Sequence, residues 1–428
     1  MVTMKEIENY ILSILPRLGV NKTREIVRLI FEISARDKTV PAKILPAGKN
    51  LNFAAAKKLL LKKRYPLNFA SAPADAYYLP EVNLGFCAPA DYSKKEFYPK
   101  QIFVDKAAAE SALAARVKKI FPAAEYKITD KKPRAFGADY SGRADTLYIY
   151  HENFDFLKAC PCTSGAAGCG YNLINLGFGC VYECAYCFLQ QYQNMHAVAL
   201  PANLHDFLAR VDGAKLSKGP FERARLGSGE FTDSLVFDHI TNYSSEIIEF
   251  FRARPHIDFE FKTKSVNVGN ILAARPCENV VVGWSVNTPR IIADAEYLTP
   301  PLDERLRAAA AVAARGFGLA FHFDPVIIYD GWQRDYKEAI EQIAAAVPPD
   351  AVRWISAGTL RFNRELKKFI EARHRETGIL DGEFLLGFDG KLRYSDAQRK
   401  EVYDFLTPLL KKYFPKTRAY LCMEKCII

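Results

Sequence analysis

From about residue 172 the chain alternates short, β-rich apolar runs with helical stretches, and this alternation constrains the fold more than any other feature. The runs are NLINLGF, RARLGS, DFEFKTKS, NVVVGWSVN, FGLAFHFDPVII and AVRWISAGTL, and helical patterns cover 240–254, 302–315 and 335–346. Strands that alternate with helices form βαβ units around a parallel sheet. Six such units predict an α/β protein with a partial or complete barrel, whose active site lies at the carboxyl ends of the strands.

The rest of the chain predicts three further regions around a barrel at 171–375. Residues 1–100 form a mainly helical N-terminal extension, because 4–16, 22–36 and 52–64 carry apolar residues at helical spacing. Residues 101–170 form an α/β segment with a Cys-rich loop that leads to the barrel, and the strand QIFVD opens it. Residues 376–428 form a C-terminal hairpin and helix region.

Charge and hydropathy narrow the class of protein. The chain has 59 Lys and Arg residues against 49 Asp and Glu residues, a formal charge of +10. A basic protein attracts polyanions such as nucleic acid, although many basic proteins bind nothing acidic. No uncharged apolar run is long enough to span a membrane, and the first residues do not resemble a signal peptide. We therefore expect a cytoplasmic protein with no membrane partner, whose thiols are reduced.

Three cysteines lie close together in GFGCVYECAYCFLQ, residues 177–190, directly after the first barrel strand. Cys180, Cys184 and Cys187 can hold three irons of a four-iron cluster and leave the fourth iron open to a small molecule. Tyr186 and Phe188 flank the last cysteine and would shield the cluster. The alternative is a structural zinc site that takes Cys169 as its fourth ligand.

Further polar residues follow the next strands of the predicted barrel. Gly229 and Glu230 lie in a glycine-rich turn, where backbone can approach a ligand closely and a carboxylate can accept hydrogen bonds from an ammonium group. Lys264 in FKTKS suits a carboxylate partner, unless it is a solvent-facing lysine at the barrel rim. Ser285 and Asn287 in GWSVN are placed to reach a ribose or a carboxylate.

The cysteine loop, with an aromatic residue before its last cysteine, resembles that of the radical S-adenosylmethionine (SAM) enzymes. The resemblance implies a [4Fe–4S] cluster on Cys180, Cys184 and Cys187, with SAM bound at the open iron. It also implies that SAM yields a 5′-deoxyadenosyl radical, which abstracts a hydrogen atom from the substrate. The remaining residues expected around the cofactors are Tyr186, Gly229, Glu230, Lys264, Ser285 and Asn287.

Within that superfamily, residues 101 to 428 resemble the spore photoproduct lyase family. The motifs GSGEFTDSLVFDHIT, KTKS, WSVNTP, HFDPVI, ISAGTLRF, LRYS and YLCME occur in the family's order. The resemblance implies a partial (β/α)6 barrel and a carbon–carbon lyase that repairs a thymine dimer-type lesion in DNA. It further implies an electron donor of the flavodoxin or ferredoxin type. Arg393 and Tyr394, after the Asp389-Gly390 turn, match the hairpin that contacts a flipped-out lesion.

Two positions depart from the family pattern. The family returns a hydrogen atom to the product from a cysteine, through a tyrosine that follows the third cluster cysteine. Here the cysteine position falls near Glu230, and the tyrosine position is Phe188, which has no hydroxyl group. Cys277, Cys422 and Cys426 are the remaining candidates for the donor.

Other interpretations of the chain remain open at this level. Cys160, Cys162 and Cys169 form a second group, which holds an auxiliary cluster, binds zinc or packs structurally. A radical SAM enzyme acting on a peptide or a small molecule has the same cysteine loop. A non-catalytic, zinc-stabilised protein that binds nucleic acid is the third possibility.

Overall fold

The computed structural model describes residues 3–48, 51–93, 96–131, 140–163, 165–193 and 195–425. The helices are α1 (Met4–Ile14), α2 (Val20–Asp37), α3 (Pro41–Ile44), α4 (Phe53–Arg64), α5 (Ala112–Ile120), α6 (Leu189–Tyr192), α7 (Leu204–Asp212), α8 (Asp238–Thr241), α9 (Tyr243–Arg252), α10 (Gly269–Ala273), α11 (Pro289–Ala295), α12 (Leu302–Ala314), α13 (Trp332–Ala346), α14 (Arg364–Arg373) and α15 (Asp396–Tyr413). The strands are β1 (Gln101–Asp105), β2 (Glu125–Thr129), β3 (Thr146–Tyr150), β4 (Lys158–Ala159), β5 (Tyr171–Ile174), β6 (Glu183–Cys184), β7 (Val198–Pro201), β8 (Ala224–Ser228), β9 (Ile257–Thr263), β10 (Val280–Ser285), β11 (Glu296–Tyr297), β12 (Gly318–Val326), β13 (Val352–Thr359), β14 (Arg361–Phe362), β15 (Leu385–Leu386), β16 (Leu392–Arg393) and β17 (Arg418–Leu421). Within this part of the chain, no helix has both the length and the apolar character needed to cross a membrane.

The N-terminal region is mainly helical, as the sequence predicts, and its helices pack around a small core of their own. Thr3 and Glu6 form a capping box that starts α1, and Ile7 and Ile11 of that helix are fully buried. Buried charges dock this region on the rest of the chain. Glu32 of α2 bonds Lys367 of α14 at 2.5 Å and Arg64 at 2.7 Å.

Among the described residues, a first sheet of four parallel strands has the spatial order β2-β1-β3-β7. Its last strand, β7, comes from beyond the cysteine loop, which the sequence does not reveal. Side chains of this sheet, such as Ile102 and Ile149, share one apolar core with Ile174 and Phe259 of the barrel. The boundaries at residues 100, 170 and 375 stay predictions.

The second sheet is the curled, partial barrel. In the described part of the chain it has eight strands, in the order β17-β13-β12-β10-β9-β8-β5-β4. Within this sheet, each neighbouring pair of strands from β17 across to β5 is parallel, and β4 pairs with β5 in the antiparallel direction. Strands β8 and β10 are buried at every residue, because helices cover the outer face and side chains fill the interior. The predicted fold class, a partial barrel with a helical N-terminal region, is confirmed.

Charged and aromatic side chains close the lower part of the barrel interior. The Arg225 guanidinium lies 4.2 Å from the ring centre of Trp354 and 5.0 Å from that of Tyr420. Glu260 accepts hydrogen bonds from Tyr171 at 2.6 Å and from Trp354 at 3.0 Å, and it bonds His322 at 2.6 Å. His322 is therefore a satisfied structural residue.

We expect Glu260→Gln to lower the free energy of unfolding by about 1–3 kcal/mol at neutral pH, because His322 and Arg225 lose a buried carboxylate. Burial raises the pKa of Glu260, but His322, Arg225 and the Tyr171 hydrogen bond outweigh burial and lower it to about 2. The carboxylate's stabilising effect is complete above the pKa of the unfolded chain and is lost as the pH falls towards 2. Urea unfolding from about pH 6 to pH 3 should therefore give a shallower pH dependence in the variant than in the unmodified protein. Glu338→Gln, on the surface, should show no such change.

Candidate cofactor and substrate site

The residues predicted to form the site meet at one edge of the barrel. The cysteine loop follows β5, Gly229 follows β8, Lys264 follows β9, and Ser285 ends β10. These strands are parallel, so their carboxyl ends lie side by side, as predicted.

The backbone of the cysteine loop is held by a buried arginine from outside the barrel. Arg143 donates to the carbonyl oxygen of Cys180 at 2.6 Å and to that of Tyr182 at 2.8 Å. Its guanidinium also bonds Glu183 at 2.7 Å and stacks 3.6 Å from the ring centre of Tyr140. The carbonyl groups of the loop are therefore fixed before any ligand binds.

A second buried arginine and a glutamine fix the other half of the loop. Arg373 of α14 bonds the second oxygen of Glu183 at 2.8 Å and the side-chain oxygen of Gln190 at 3.0 Å. The amide nitrogen of Gln190 donates to the carbonyl of Ala185 at 2.8 Å and to that of Cys187 at 3.1 Å. Glu183 is thus the centre of a buried network that shapes the loop.

The three thiols lie within electrostatic contact of one another and have raised pKa values. Burial raises the pKa of Cys180 to about 12 and also raises the pKa of Cys184 and Cys187. Lys264 opposes this rise at Cys184 and Cys187, because its ammonium group stabilises their thiolates. The Lys264 side chain is only partly exposed and its ammonium lies near the ring of Tyr186, and its contact with a carboxylate of a cofactor stays a prediction. Metal binding at such thiols must release protons.

Aromatic side chains cover the thiols, as expected for Phe188. Phe188 and Phe231 pack around Cys180 and Cys187, with 6.0 Å between the two ring centres. Phe178 stacks on Phe231 at 4.9 Å. A group bound by these thiols would be shielded from water on this side.

The structure does not bring Cys169 to this loop. Cys169 precedes β5, at the opposite end of that strand, and packs against Trp354 and Tyr420. In the described residues no three His, Cys, Asp or Glu side chains gather closely enough for one metal ion. A four-iron cluster is a different case, because each thiolate binds a different iron. The donor set thus fits a cluster with three protein ligands.

Tyr186 and Lys264 belong to a buried charge network that the sequence did not reveal. The hydroxyl group of Tyr186 donates to Glu296, and the Lys264 ammonium lies 5.5 Å from the ring centre of Tyr186. Arg305 bonds the other oxygen of Glu296 at 2.7 Å. Burial raises the pKa of Glu296, but Arg305, Lys264 and Tyr186 reverse this effect and lower it. Because β11 pairs with β6, Glu296 lies opposite Cys184.

The glycine-rich turn after β8 places several oxygen atoms beside the cysteine loop. Gly229 has φ of +98°, and a Cβ atom there would lie 2.9 Å from the carbonyl oxygen of Thr232. Glu230 pairs with Lys158 at 2.8 Å. Ser228 Oγ, Thr232 Oγ1 and Asn175 Oδ1 are buried without a hydrogen-bond partner in the described part of the chain. Buried polar atoms of this kind favour a polar ligand in the turn.

Ser285 and Asn287 lie at the predicted edge, and the side chain of Asn287 is already hydrogen-bonded. The carbonyl oxygen of Ser285 accepts a hydrogen bond from Arg305 at 2.9 Å. The Asn287 side chain donates to the carbonyl of Pro325 at 2.9 Å and accepts from Tyr336 at 2.7 Å. Asn287 therefore fixes the connection between β10 and β12, and its contact with a cofactor stays a prediction.

A second polar layer lies in the barrel interior, above Glu260, His322 and Tyr420. It contains Lys262 of β9, Asp324 of β12 and Cys422, which directly follows β17. These three residues lie two positions after Glu260, His322 and Tyr420, respectively, and alternate residues of a strand share a face. Arg361 pairs with Asp324 at 3.0 Å and donates to the sulfur atom of Cys422 at 3.7 Å. Burial raises the pKa of Asp324, but Arg361 and Lys262 lower it below its usual value. Arg361 and Lys262 thus balance the charge of the buried Asp324 carboxylate in this layer.

The C-terminal hairpin is present, but its two predicted contact residues are buried. β15 and β16 form it, and Gly390 takes a left-handed conformation in the turn. Tyr394 packs 4.6 Å from Phe384, so its ring is closed to a stacking base in this conformation. Arg393 bonds Asp389 at 2.8 Å, but its Nε and Nη1 atoms have no hydrogen-bond partner in the described residues. Base contact by this pair stays a prediction.

Comparison with known proteins identifies the family. The sequence model of the family described as "Spore photoproduct lyase" matches residues 97–422, about three quarters of the chain. The chain belongs to the spore photoproduct lyase family. It is 28% identical over 249 residues to the spore photoproduct lyase of Bacillus subtilis, covering 56% of this chain and 72% of the relative. A Geobacillus spore photoproduct lyase is 27% identical over 255 residues, covering 58% and 74%.

Solved structures of this family share the fold. A spore photoproduct lyase complexed with dinucleoside spore photoproduct superposes with a TM-score of 0.64 at 24% identity, covering 76% of this chain and 99% of that chain. A mutant with bound AdoMet and dinucleoside spore photoproduct gives a TM-score of 0.63 at 23% identity, covering 76% and 98%. Membership of the spore photoproduct lyase family makes the chain a radical SAM protein, and this family uses a [4Fe–4S] cluster and SAM.

Proposed function

We propose that the protein is a radical SAM lyase that repairs a spore photoproduct-type thymine lesion in DNA. The observation that carries the proposal is the site at the strand ends, where two buried thiols and the partly buried thiol of Cys187 lie beside Lys264 and the turn of Gly229 in a chain of this family. We further propose a cytoplasmic protein that takes electrons from a flavodoxin- or ferredoxin-type donor. The chain has 59 basic residues (Lys and Arg) against 49 acidic residues (Asp and Glu), and this excess of positive charge favours a nucleic-acid substrate.

The residues present fit both cofactors. Cys180, Cys184 and Cys187 would hold the cluster, and Lys264 supplies a positive charge for the carboxylate of SAM. Ser228, Thr232 and Asn175 offer unpaired oxygen atoms to an ammonium group. When bound, the cluster and SAM supply the chemistry that abstracts a hydrogen atom.

The chain's own residues orient and protect the substrate. Lys262, Asp324 and Arg361 form the polar layer above Glu260, and we propose that they bond the polar edges of two pyrimidine bases. Phe231 and Phe188 exclude water on the opposite side of the thiols. A lesion turned out of the duplex would reach this space from the carboxyl ends of the strands.

The decisive experiment is anaerobic incubation of the protein with SAM, a reductant and UV-irradiated DNA. We expect 5′-deoxyadenosine together with restored thymines, and no restoration in the absence of SAM. Deoxyadenosine without repaired thymines would keep the radical SAM class and remove the lesion assignment. That result would favour a peptide or a small molecule as substrate.

DNA binding gives a separate test of the substrate class. Affinity for DNA should fall steeply between about 50 and 200 mM salt, because each lysine or arginine that contacts a phosphate releases counterions. Fluorescence anisotropy with a labelled duplex measures this slope. No binding at low salt, or an affinity that does not change with salt, would contradict a nucleic-acid substrate.

Cys422 is our proposed donor of the returning hydrogen atom. Its thiol lies in the interior layer beside Asp324 and Arg361, whereas Cys277 precedes β10 at the opposite end of the barrel and bonds Asn279. Cys426 lies outside the described residues. In the donor step the S–H bond of Cys422 breaks homolytically and a C–H bond forms on the substrate radical, so that the unpaired electron remains on the Cys422 sulfur as a thiyl radical.

We expect Cys422→Ala to keep SAM cleavage but to lose most of the restored thymine. Thiol hydrogens exchange with solvent, so repair in D2O should place deuterium in the thymine made by the unmodified enzyme. Mass spectrometry of the digested DNA measures both quantities, with Cys277→Ala as the control. Normal repair and deuterium transfer by Cys422→Ala would exclude this donor.

A further inference from the structure

The second group of cysteines lies at the seam between the two edges of the open barrel. The backbone N–H of Ala167 donates to the carbonyl of Glu424 at 2.7 Å, and that of Thr163 donates to the sulfur atom of Met423 at 3.4 Å. Lys391 of the hairpin bonds Thr163 at 2.5 Å. The loop after β4 therefore joins the edge of β4 and β5 to the edge of β17.

Within this loop, Cys160 and Cys162 form a pair. The backbone N–H of Cys162 donates to the carbonyl of Cys160 at 2.8 Å, which closes a three-residue turn around Pro161. Proline suits the central position because its ring fixes φ near the value that this turn needs. The turn brings the two thiols close enough for the Cys160 thiol to act as a hydrogen-bond donor to a Cys162 thiolate. Both cysteines are free and partly exposed, and Pro161 between them is exposed.

The charges around the pair distinguish the two thiols. The hydrogen bond from Cys160 lowers the pKa of Cys162 to about 6; burial opposes this shift, and Arg361 and Lys391 add to it. The same hydrogen bond, together with burial and the thiols of Cys422 and Cys169, raises the pKa of Cys160. At neutral pH, Cys162 is thus the thiolate and Cys160 the protonated neighbour, which is the arrangement of an attacking and a resolving thiol.

We propose that Cys160 and Cys162 form a redox-active dithiol that exchanges with low-molecular-weight disulfides such as glutathione disulfide. The Cys162 sulfur attacks one sulfur of the disulfide, whose S–S bond breaks and releases one thiolate. Cys160 then loses its proton and attacks the Cys162 sulfur, which releases the second thiolate and forms the Cys160–Cys162 disulfide. Two electrons pass from the protein to the small disulfide, and excess reduced glutathione reverses the reaction.

The test is differential alkylation of the holoenzyme under anaerobic conditions. At pH 7 iodoacetamide should modify Cys162 at least about 10-fold faster than the buried Cys277. This advantage should disappear as the pH falls through about 6, where Cys162 becomes protonated. After incubation with glutathione disulfide, peptide fragmentation should find Cys160 and Cys162 protected together and released together by reduced glutathione.

Two variants separate the roles of the thiols. Cys160→Ser keeps a hydrogen-bond donor beside Cys162 but has no resolving thiol, so Cys162 should accumulate a stable mixed disulfide with glutathione. Cys162→Ser should leave Cys160 almost unreactive. Equal alkylation of Cys162 and Cys277, a lasting mixed disulfide in the unmodified protein, or a disulfide to Cys169 or Cys422 would overturn the proposal. None of these measurements requires SAM or DNA, so their outcome is independent of the proposed lyase activity.

Discussion

Cys184→Ala should abolish SAM cleavage while leaving the fold intact. Cys184 lies in β6, opposite Glu296, and its thiol is surrounded by Cys180, Cys187 and Lys264. Replacing residues that only support metal ligands typically costs 10- to 100-fold, so loss of a ligand should lower the rate of deoxyadenosine formation by more than about 100-fold. Iron content and the brown absorbance of the purified protein should fall with it.

Cys277→Ala is the matched control for this prediction. Cys277 is also buried, and its substitution by alanine likewise removes one thiol group. It precedes β10, however, at the end of the barrel away from the site. We expect its iron content and SAM cleavage to equal those of the unmodified protein. A Cys184→Ala protein that retains iron and cleaves SAM at the normal rate would remove Cys184 from the ligand set. A colourless unmodified protein with stoichiometric zinc would instead support the zinc-stabilised alternative.

The sequence predicted where the candidate site lies, at the carboxyl ends of the barrel strands, because this position depends on local signals. Cys180, Cys184 and Cys187 stand out by their spacing, and Gly229 and Lys264 follow apolar runs that are recognisable as strands. Parallel strands then bring these residues together without any knowledge of their contacts. The agreement extends to Phe188, whose ring covers the thiols as its position suggested.

The residues that hold this edge in shape could not be found in the same way. Arg373 meets Glu183 from 190 positions away, and Glu296 meets Tyr186 from 110 positions away. A single arginine or glutamate carries no sign of its distant partner, and only tertiary packing brings such pairs together. The partners of Asn287 were equally hidden, because its hydrogen bonds to Tyr336 and Pro325 also depend on tertiary packing, and its contact with a cofactor stays a prediction.

Arg143→Met tests whether this hidden framework is needed for the cluster. The substitution leaves the carbonyl groups of Cys180 and Tyr182 without their donor and removes one of the two arginines that neutralise Glu183. Breaking a buried ion pair in this way costs about 3–5 kcal/mol, so the midpoint of urea unfolding should fall markedly. Iron content should fall as well, because the loop is no longer fixed for its ligand.

Two further substitutions show whether the effect comes from the geometry of Arg143 or from its charge. Arg143→Lys restores the charge but not the planar fork that reaches two carbonyl groups and Glu183 at once, so we expect it to recover stability only in part and to remain poor in iron. Arg223→Met removes a half-exposed arginine that pairs with Asp258 at 3.4 Å, and such pairs contribute about 0–1 kcal/mol. If Arg143→Met bound iron normally and unfolded like Arg223→Met, the loop would hold its shape without Arg143. The arginine would then only fill space between the first sheet and the barrel.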